Sequence, residues 1–311
     1  MTRPDVLAIV GPTAVGKSAV AEGVALALGG QIVSADSMQV YRGMDIGTAK
    51  TPAHQRRVPY HCVDIVDPDA AYSAALYQRD ARNAIAVIRA EGDLPVVVGG
   101  TGLYVRAALD EMDFPAGEAE SPLREQLERL AADVGPQALH ARLEAIDPDA
   151  AGLIHPNNTR RVVRALEMAE SGRPYGAQAA RFSERRAFYP RTLLVGITMD
   201  REQLYCRVDS RVDAMLEGGL LDEVRRLLAE GHRHSLTSAQ AIGYKELVAV
   251  LDGKRTLEDA ASAVKQATRR YVKRQLTWFR ADPRIAWVDV TGLSTEAATL
   301  AVLDLLESAE Q

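Results

Sequence analysis

The sequence predicts an α/β protein: a parallel sheet with helices on both faces, built around a phosphate-binding loop and interrupted by a mostly helical insertion. Three observations carry this expectation. Short apolar runs alternate with helix-period segments over the first third of the chain. A glycine-rich loop joins the first apolar run to the first helix. The alternation stops near Phe114-Pro115 and the strand pattern returns at Thr192. The expected organisation is therefore a core of residues 1–115 and 193–311, with an insertion at 116–192.

Each element follows from local chemistry. Asp5-Val6-Leu7-Ala8-Ile9-Val10 is a near-continuous apolar run, as suits a strand covered on both faces. Lys17 to Leu28 is rich in Ala and Leu and reads as a helix that Gly29-Gly30 stops. Gln31-Ile32-Val33 reads as a second strand leading to Asp36. Residues 73–90 form an amphipathic pattern with Ser73 as N-cap. Pro95 to Gly100 is another buried strand, after which Thr101 opens a helix. Residues 121–170 read mainly as helices broken at Gly135-Pro136, Asp147-Pro148 and His155-Pro156. A strand at Thr192–Ile197 precedes helices near 201–217, 219–230, 238–250 and 256–280, then a strand at 285–288 and a terminal helix.

The 311 residues are 47% apolar and 25% charged, which excludes intrinsic disorder and a disulfide-held mini-protein. No apolar run approaches the roughly 18 residues of a membrane span. Arg3 and Asp5 fall within the first strand-like segment, which does not read as a signal peptide. Cys62 and Cys206 are far apart and form no Cys-x-x-Cys pair, so a reducing, cytoplasmic setting is expected. The net charge of −5 argues against a uniformly basic protein, but the distribution is uneven. Residues 110–155 hold eleven acidic residues against three arginines, whereas 156–195 hold eight arginines against three glutamates. A basic face on an acidic protein is what a polyanion meets.

Gly11-Pro12-Thr13-Ala14-Val15-Gly16-Lys17-Ser18 fits G-x-x-x-x-G-K-[ST] at every fixed position, between a predicted strand and a predicted helix. Its backbone N–H groups and the helix N-terminus suit a phosphate, Lys17 supplies a point charge, and the Ser18 hydroxyl suits Mg²⁺. Gly11, Thr13, Ala14, Gly16, Lys17 and Ser18 are thus candidate phosphate ligands. The loop alone does not specify nucleotide hydrolysis. The strand at 95–98 ends in Gly99-Gly100 rather than an aspartate, and the acids of His61–Asp67 alternate along a strand that could be metal-binding or solvated. Neither a guanine-specific Asn-Lys-x-Asp nor an arginine-rich lid is present.

Asp36 lies just past a strand end, where ligands of parallel sheets gather, so it should face the same crevice as Lys17. It can act as a base or metal ligand, or serve as a turn residue. Thr101, past another strand end, has an N-cap reading as well. Arg207 and Arg211 share a helix face and form either a diphosphate fork or a solvated pair with Asp209 or Glu202. Arg160, Arg161 and Arg164 make a basic helix edge. Thr268–Arg280 carries five basic residues and no acid, interleaved with Tyr271 and Trp278. That pattern suits phosphate contact with base stacking, or a solvated face whose Trp278 and Phe279 belong to the core.

Several segments resemble the tRNA dimethylallyltransferase family in its bacterial form, without the zinc finger of eukaryotic relatives. They are residues 11–18, Asp36-Ser37-Met38-Gln39-Val40-Tyr41, Gly43–Lys50, Tyr72-Ser73-Ala74, Gly99-Gly100-Thr101-Gly102-Leu103-Tyr104, His155-Pro156-Asn157, Arg161–Glu167, Ile242-Gly243-Tyr244-Lys245 and Lys273–Arg280. The resemblance implies that the phosphate loop holds dimethylallyl diphosphate, with Mg²⁺ at Ser18 and Arg211 on the diphosphate. It implies transfer of the dimethylallyl group to the exocyclic amine of the adenosine 3′ of the anticodon in certain tRNAs. Asp36 is then the general base, with Lys17 and Thr101 completing the catalytic group. The tRNA contacts implied are Asp36, Ser37, Met38, Gln39, Arg160, Arg161, Arg164, Gln240, Gly243, Lys245, Lys273, Arg274 and Arg280. The adenosine would be turned out of its stack, and the insertion would clamp the anticodon stem-loop. A cytoplasmic monomer is expected. The competing readings are a small-molecule enzyme, either an adenylate prenyltransferase or an ATP-dependent kinase, and a non-catalytic RNA-binding switch.

Overall fold

The computed structural model describes residues 4–114, 122–176, 179, 182, 184–232 and 241–309. The chain divides into two compact units: Met1–Leu109 with Phe188–Gln311, and Asp110–Ala187. The division falls a few residues before each edge expected from the sequence.

The first unit is organised on six parallel strands: β1 (Val6–Val10), β2 (Gly30–Ser34), β3 (Tyr60–His61), β4 (Leu94–Gly99), β5 (Thr192–Thr198) and β6 (Ile285–Asp289). Their order is β3-β2-β4-β1-β5-β6. Every residue of β1, β2 and β4 is buried, which explains their unbroken apolar runs: a central parallel strand has no wet face. Ile9 of β1 pairs with Val98 on one side and Val195 on the other, so β1 is central and its loop opens where the chain reverses direction across the sheet.

Helices α1 (Lys17–Leu28), α2 (Ala74–Ala90) and α3 (Gly102–Leu109) connect the early strands. Ser73 caps α2 as expected, its hydroxyl accepting from Leu76 N at 3.2 Å. Leu7, Ile9, Val24, Ile32, Val96 and Ile197 form one apolar core with Val208, Val272 and Val302, each burial stabilising by about 1.5–3 kcal/mol. The later helices are α7 (Arg201–Glu217), α8 (Leu220–Ala229), α9 (Tyr244–Leu251), α10 (Leu257–Arg280) and α11 (Thr295–Ala309). At the N-terminal end of β1, away from the phosphate loop, Asp5 accepts from Arg89 at 3.0 Å and Arg191 at 2.8 Å.

The second unit contains α4 (Pro122–Ile146), α5 (Pro148–Leu153) and α6 (Thr159–Glu170). α4 is interrupted at Gly135, with φ 80°, just before Pro136, where the sequence predicts a break. Asp147 caps α5 through Ala150 N at 3.0 Å. Leu127, Leu139, Leu143, Ile154, Val162, Val163 and Leu166 form a separate core. No described helix is long and apolar enough to cross a membrane.

Candidate active site

The C-terminal ends of β1, β2 and β4 open into a cleft of about 260 Å³. Thr13, Ala14, Gly16, Lys17 and Ser18 line it, together with Asp36, Gln39 and Arg211. Gly11 does not line it. It is buried against β5, where a Cβ would lie 2.4 Å from the Ile197 carbonyl oxygen. Gly16 takes a left-handed φ of 98° and leads into α1. Lys17 is half-buried and its Nζ donates to Pro12 O at 2.5 Å. Burial lowers its pKa to about 7; Arg211 pushes the same way, and Asp36 opposes both. Arg211 is also held below the usual guanidinium range by burial, again against Asp36. The cleft is thus a partly desolvated, net positive cradle with one carboxylate in it.

Of the arginine pair, Arg211 enters the cleft lining, whereas Arg207 is exposed. Asp209 binds neither of them. It accepts from Arg269 Nη1 at 2.7 and 2.9 Å, tying α7 to α10.

Asp36 serves as a turn residue and as a cleft group at once. Its Oδ1 accepts from Met38 N at 2.9 Å, and the carboxylate lines the cleft. Thr101 departs from the N-cap expectation. Its carbonyl opens α3 by accepting from Tyr104 N and Val105 N, but its hydroxyl bonds to Ser37, and neither residue is part of the cleft lining. Thr101 Oγ1 accepts from Ser37 N at 3.1 Å and donates to Ser37 Oγ at 3.3 Å. Thr101 therefore holds the Asp36–Ser37 turn. Tyr271 of α10 comes close to the same group: its hydroxyl interacts with Thr101 and Gln275, and burial with the nearby Asp36 charge pushes it up to about 12.

The motif at residues 43–50 is a braced loop. Glu223 of α8 accepts from Asp45 N at 2.9 Å, Ile46 N at 2.8 Å and Gly47 N at 3.1 Å, and from the Tyr244 hydroxyl at 2.6 Å. The Tyr244 ring lies so close that a Cβ on Gly47 would be 2.4 Å from it, which requires glycine there. Lys50 is buried and donates to Tyr41 O, to Asp45 Oδ1 at 2.8 Å and to Asp64 Oδ1. The loop in turn positions Gln39, whose Nε2 donates to Thr48 O at 3.2 Å and whose Oε1 accepts from Ser34 Oγ at 2.9 Å.

The alternating acids expected along His61–Asp67 are not on a strand. β3 ends at His61, and Cys62 and Asp64 have left-handed φ of 60° and 57°. Asp64 is committed to Lys50 and Arg56, and Asp67 to Arg42. No cluster of three or more His, Cys, Asp or Glu side chains suited to a metal occurs among the described residues.

The remaining basic candidates are distributed. Lys273, Arg274 and Arg280 are exposed on α10. Lys245 is exposed beside Glu246, at 3.6 Å, whereas Gly243 is buried and its N–H donates to Glu246 at 2.8 Å. In the second unit Arg160 and Arg161 are exposed on α6, and Arg164 is half-buried, 3.5 Å from Glu167. That buried glutamate also accepts from Arg124 at 2.8 Å. Gln240 lies outside the described residues. Phe279 is core, at 2% exposure, and Trp278 packs one ring edge over Gly102 while remaining 38% exposed.

Sequence reasoning missed Gln275, Thr48, Thr51 and Tyr60, all in the cleft lining. Thr48 and Gln275 fall within the segments 43–50 and 273–280 that carry the resemblance, and Gln275 also occupies a stripe position of α10 with buried Val264, Val272 and Phe279, where an apolar residue is the norm.

A family model described as IPP transferase matches residues 39–282, and one described as isopentenyl transferase matches residues 4–57. The tRNA dimethylallyltransferase of Symbiobacterium thermophilum is 52% identical over 287 residues, 91% of this chain and 89% of that one. The tRNA dimethylallyltransferase of Carboxydothermus hydrogenoformans is 50% identical over 293 residues, 94% of each chain. The crystal structure of the full-length tRNA isopentenylpyrophosphate transferase from Bacillus halodurans matches with a TM-score of 0.72 at 44% identity, covering 98% of this chain and 96% of that one. A eukaryotic dimethylallyltransferase acting on tRNA matches with a TM-score of 0.79 at 31% identity, covering 97% and 79%. Matched by that family model over residues 39–282 and at least 50% identical to these two relatives over more than nine-tenths of its length, the chain belongs to the tRNA dimethylallyltransferase family.

Proposed function

We propose that this protein transfers a dimethylallyl group from dimethylallyl diphosphate to the N6 amine of the adenosine 3′ of the anticodon in certain tRNAs. The observation that carries this reading is one cleft holding Lys17, Ser18 and Arg211 together with Asp36. The carboxylate sets a proton acceptor beside the diphosphate cradle. It is of direct use to a site that must also take a proton from an amine.

The diphosphate lies along the phosphate loop, with Lys17 and Arg211 facing its charge. The adenine N6 attacks C1 of the dimethylallyl group, the C1–O bond breaks, and the electron pair leaves on the diphosphate. Lys17 and Arg211 stabilise that developing charge in a partly desolvated site, where their field is strongest. Asp36 takes the proton that the N6 amine loses. Thr101 holds the Asp36 turn in place and borders the acceptor. Mg²⁺ would be held by the Ser18 hydroxyl, which lines the cleft, together with diphosphate oxygens, a hard, all-oxygen set that suits this ion. When bound, the ion neutralises charge on the leaving diphosphate.

The tRNA is gripped by its anticodon stem-loop. Lys273, Arg274 and Arg280 on α10 and Lys245 on α9 meet its backbone, with Arg160 and Arg161 of α6 adding positive charge. The target adenosine is turned out of its stack towards residues 36–39. The protein works as a monomer in the cytoplasm.

The test is incubation of the purified protein with Mg²⁺, dimethylallyl diphosphate and unmodified tRNA, with AMP as parallel acceptor, followed by mass spectrometry of the digested nucleosides. A five-carbon gain on adenosine in tRNA alone is expected. A gain on AMP instead, or ATP consumption with no prenyl gain, overturns the reading.

A further inference from the structure

Gln275 is only 5% exposed, although its neighbours Lys273 and Arg274 on α10 face solvent. A buried primary amide must find partners for both its donor and its acceptor ends. Gln275 finds them at two different strand ends. Its Nε2 donates to Gly100 O, after β4, at 2.9 Å. Its Oε1 accepts from Thr13 N, after β1, at 2.9 Å. The approach is so close that a Cβ on Gly100 would lie 2.2 Å from Nε2.

The Thr13 N–H and the Pro12 carbonyl belong to one peptide unit, planar and rigid, whose N–H and C=O point in opposite directions. The carbonyl end of that unit accepts from Lys17 Nζ. Fixing the N–H therefore fixes the carbonyl that holds Lys17. Gly100 immediately precedes Thr101, so the other end of the amide secures the turn that braces Ser37 and Asp36.

We infer that Gln275 is a positioning residue of the donor site: its amide locks the Pro12–Thr13 peptide, and through it Lys17, in the geometry that receives a diphosphate, and ties that loop to the turn carrying Thr101. The inference rests on the reading of the cleft as a diphosphate site. It also gives a buried residue of the tRNA-facing helix a task in binding the other substrate.

The experiment measures the Kd of Mg²⁺ with inorganic diphosphate by calorimetry for wild type, Gln275→Met and Gln275→Glu between pH 5.5 and 8, alongside tRNA affinity. Gln275→Met keeps the volume and removes both hydrogen bonds along with the contact to the Tyr271 hydroxyl; a rise in Kd of at least tenfold is expected at every pH. Gln275→Glu is isosteric and, when protonated, restores both an O–H donor for Gly100 and an acceptor for Thr13. Its Kd should exceed wild type by at least tenfold at pH 8 and approach it as the pH falls. The titratable groups facing the amide and the cleft are Lys17, Arg211, Asp36, Tyr60 and Tyr271. They are common to all three proteins, so the ratio to wild type isolates position 275. Affinity for tRNA should stay within twofold. Binding by Gln275→Met within threefold of wild type overturns the inference, as does a pH-independent Gln275→Glu ratio or a joint loss of tRNA and diphosphate binding. If wild type itself binds no diphosphate, the donor-site reading falls first and this inference with it.

Discussion

Two residues in the cleft carry opposite charges for opposite tasks. Lys17 is needed charged, yet burial brings its pKa to about 7, far below the ordinary lysine value. In the free protein it is charged below that pH and loses its proton as the pH rises through it. The kcat/KM for dimethylallyl diphosphate should therefore fall above pH 7, because this ratio reports ionisations of the free enzyme. Lys17→Arg keeps its charge throughout and should abolish that fall even at a lower absolute rate; steady-state kinetics from pH 6 to 9 check this. In the proposed reaction Asp36 acts on the acceptor side. Asp36→Ala should lower kcat by two or more orders of magnitude, as loss of a general base does, while leaving the tRNA Kd within a few-fold. Single-turnover rates and filter binding separate the two, and substantial activity in Asp36→Ala would remove its assignment as base. The sequence placed both residues at strand ends facing one crevice, because the phosphate loop and the strand pattern are local signals. It left open whether Thr101 merely caps α3. That was decided by Ser37, a residue 64 positions away.

At the scale of elements, α8 and α9 brace the loop at 43–50, and α10 braces the phosphate loop. Glu223 accepts three backbone N–H groups and the Tyr244 hydroxyl. Tyr244→Phe should cost about 1–2 kcal/mol, since one charge-assisted hydrogen bond is lost while the ring stays over Gly47. Glu223→Ala should cost more, because it strands several donors at once. Urea unfolding of both variants gives the ranking, and equal costs would contradict this bracing. The Ile242–Lys245 motif read as a tRNA contact thus contains a structural tyrosine at its centre, a role invisible in a sequence that separates Tyr244 from Gly47 by nearly two hundred residues. In the proposed tRNA contact the exposed basic edges of α6 and α10 act through the solvent field. Arg160→Ala with Arg161→Ala should weaken tRNA binding and flatten its salt dependence by about one unit of slope for each phosphate no longer neutralised. Arg164 is set aside in that variant because it neighbours buried Glu167, so its loss would confuse binding with folding. Binding isotherms at several salt concentrations decide, and an unchanged slope removes α6 from the tRNA surface.

For the whole molecule, the sheet has a catalytic end and a stabilising end. At the latter Asp5 joins β1 to Arg89 of α2 and to Arg191 before β5. The hydrogen bond from Arg191 holds the Asp5 carboxyl below the usual aspartate range, against its burial. A carboxylate so depressed contributes stability above its unfolded pKa and loses it as the pH falls towards and through the folded value. Asp5→Asn should therefore destabilise by about 1–2 kcal/mol at pH 7. The difference from wild type should shrink below about pH 4, near the unfolded aspartate value. Chemical denaturation at both pH values checks this, and a gap that does not narrow in acid contradicts it. By itself the sequence determined the strands of the core, the caps at Gly29 and Ser73, the break at Gly135-Pro136 and the phosphate loop. All depend on neighbours within a few residues, on backbone freedom or on hydrophobic period. Only the tertiary structure decided that Asp64 and Asp67 are tied in ion pairs, that Asp209 pairs with Arg269 rather than with Arg207 or Arg211 of its own helix, and that Gln275 joins two strand ends. Those outcomes rest on interactions between residues that the chain order holds far apart, and a parallel sheet brings them together only when its crossovers are complete.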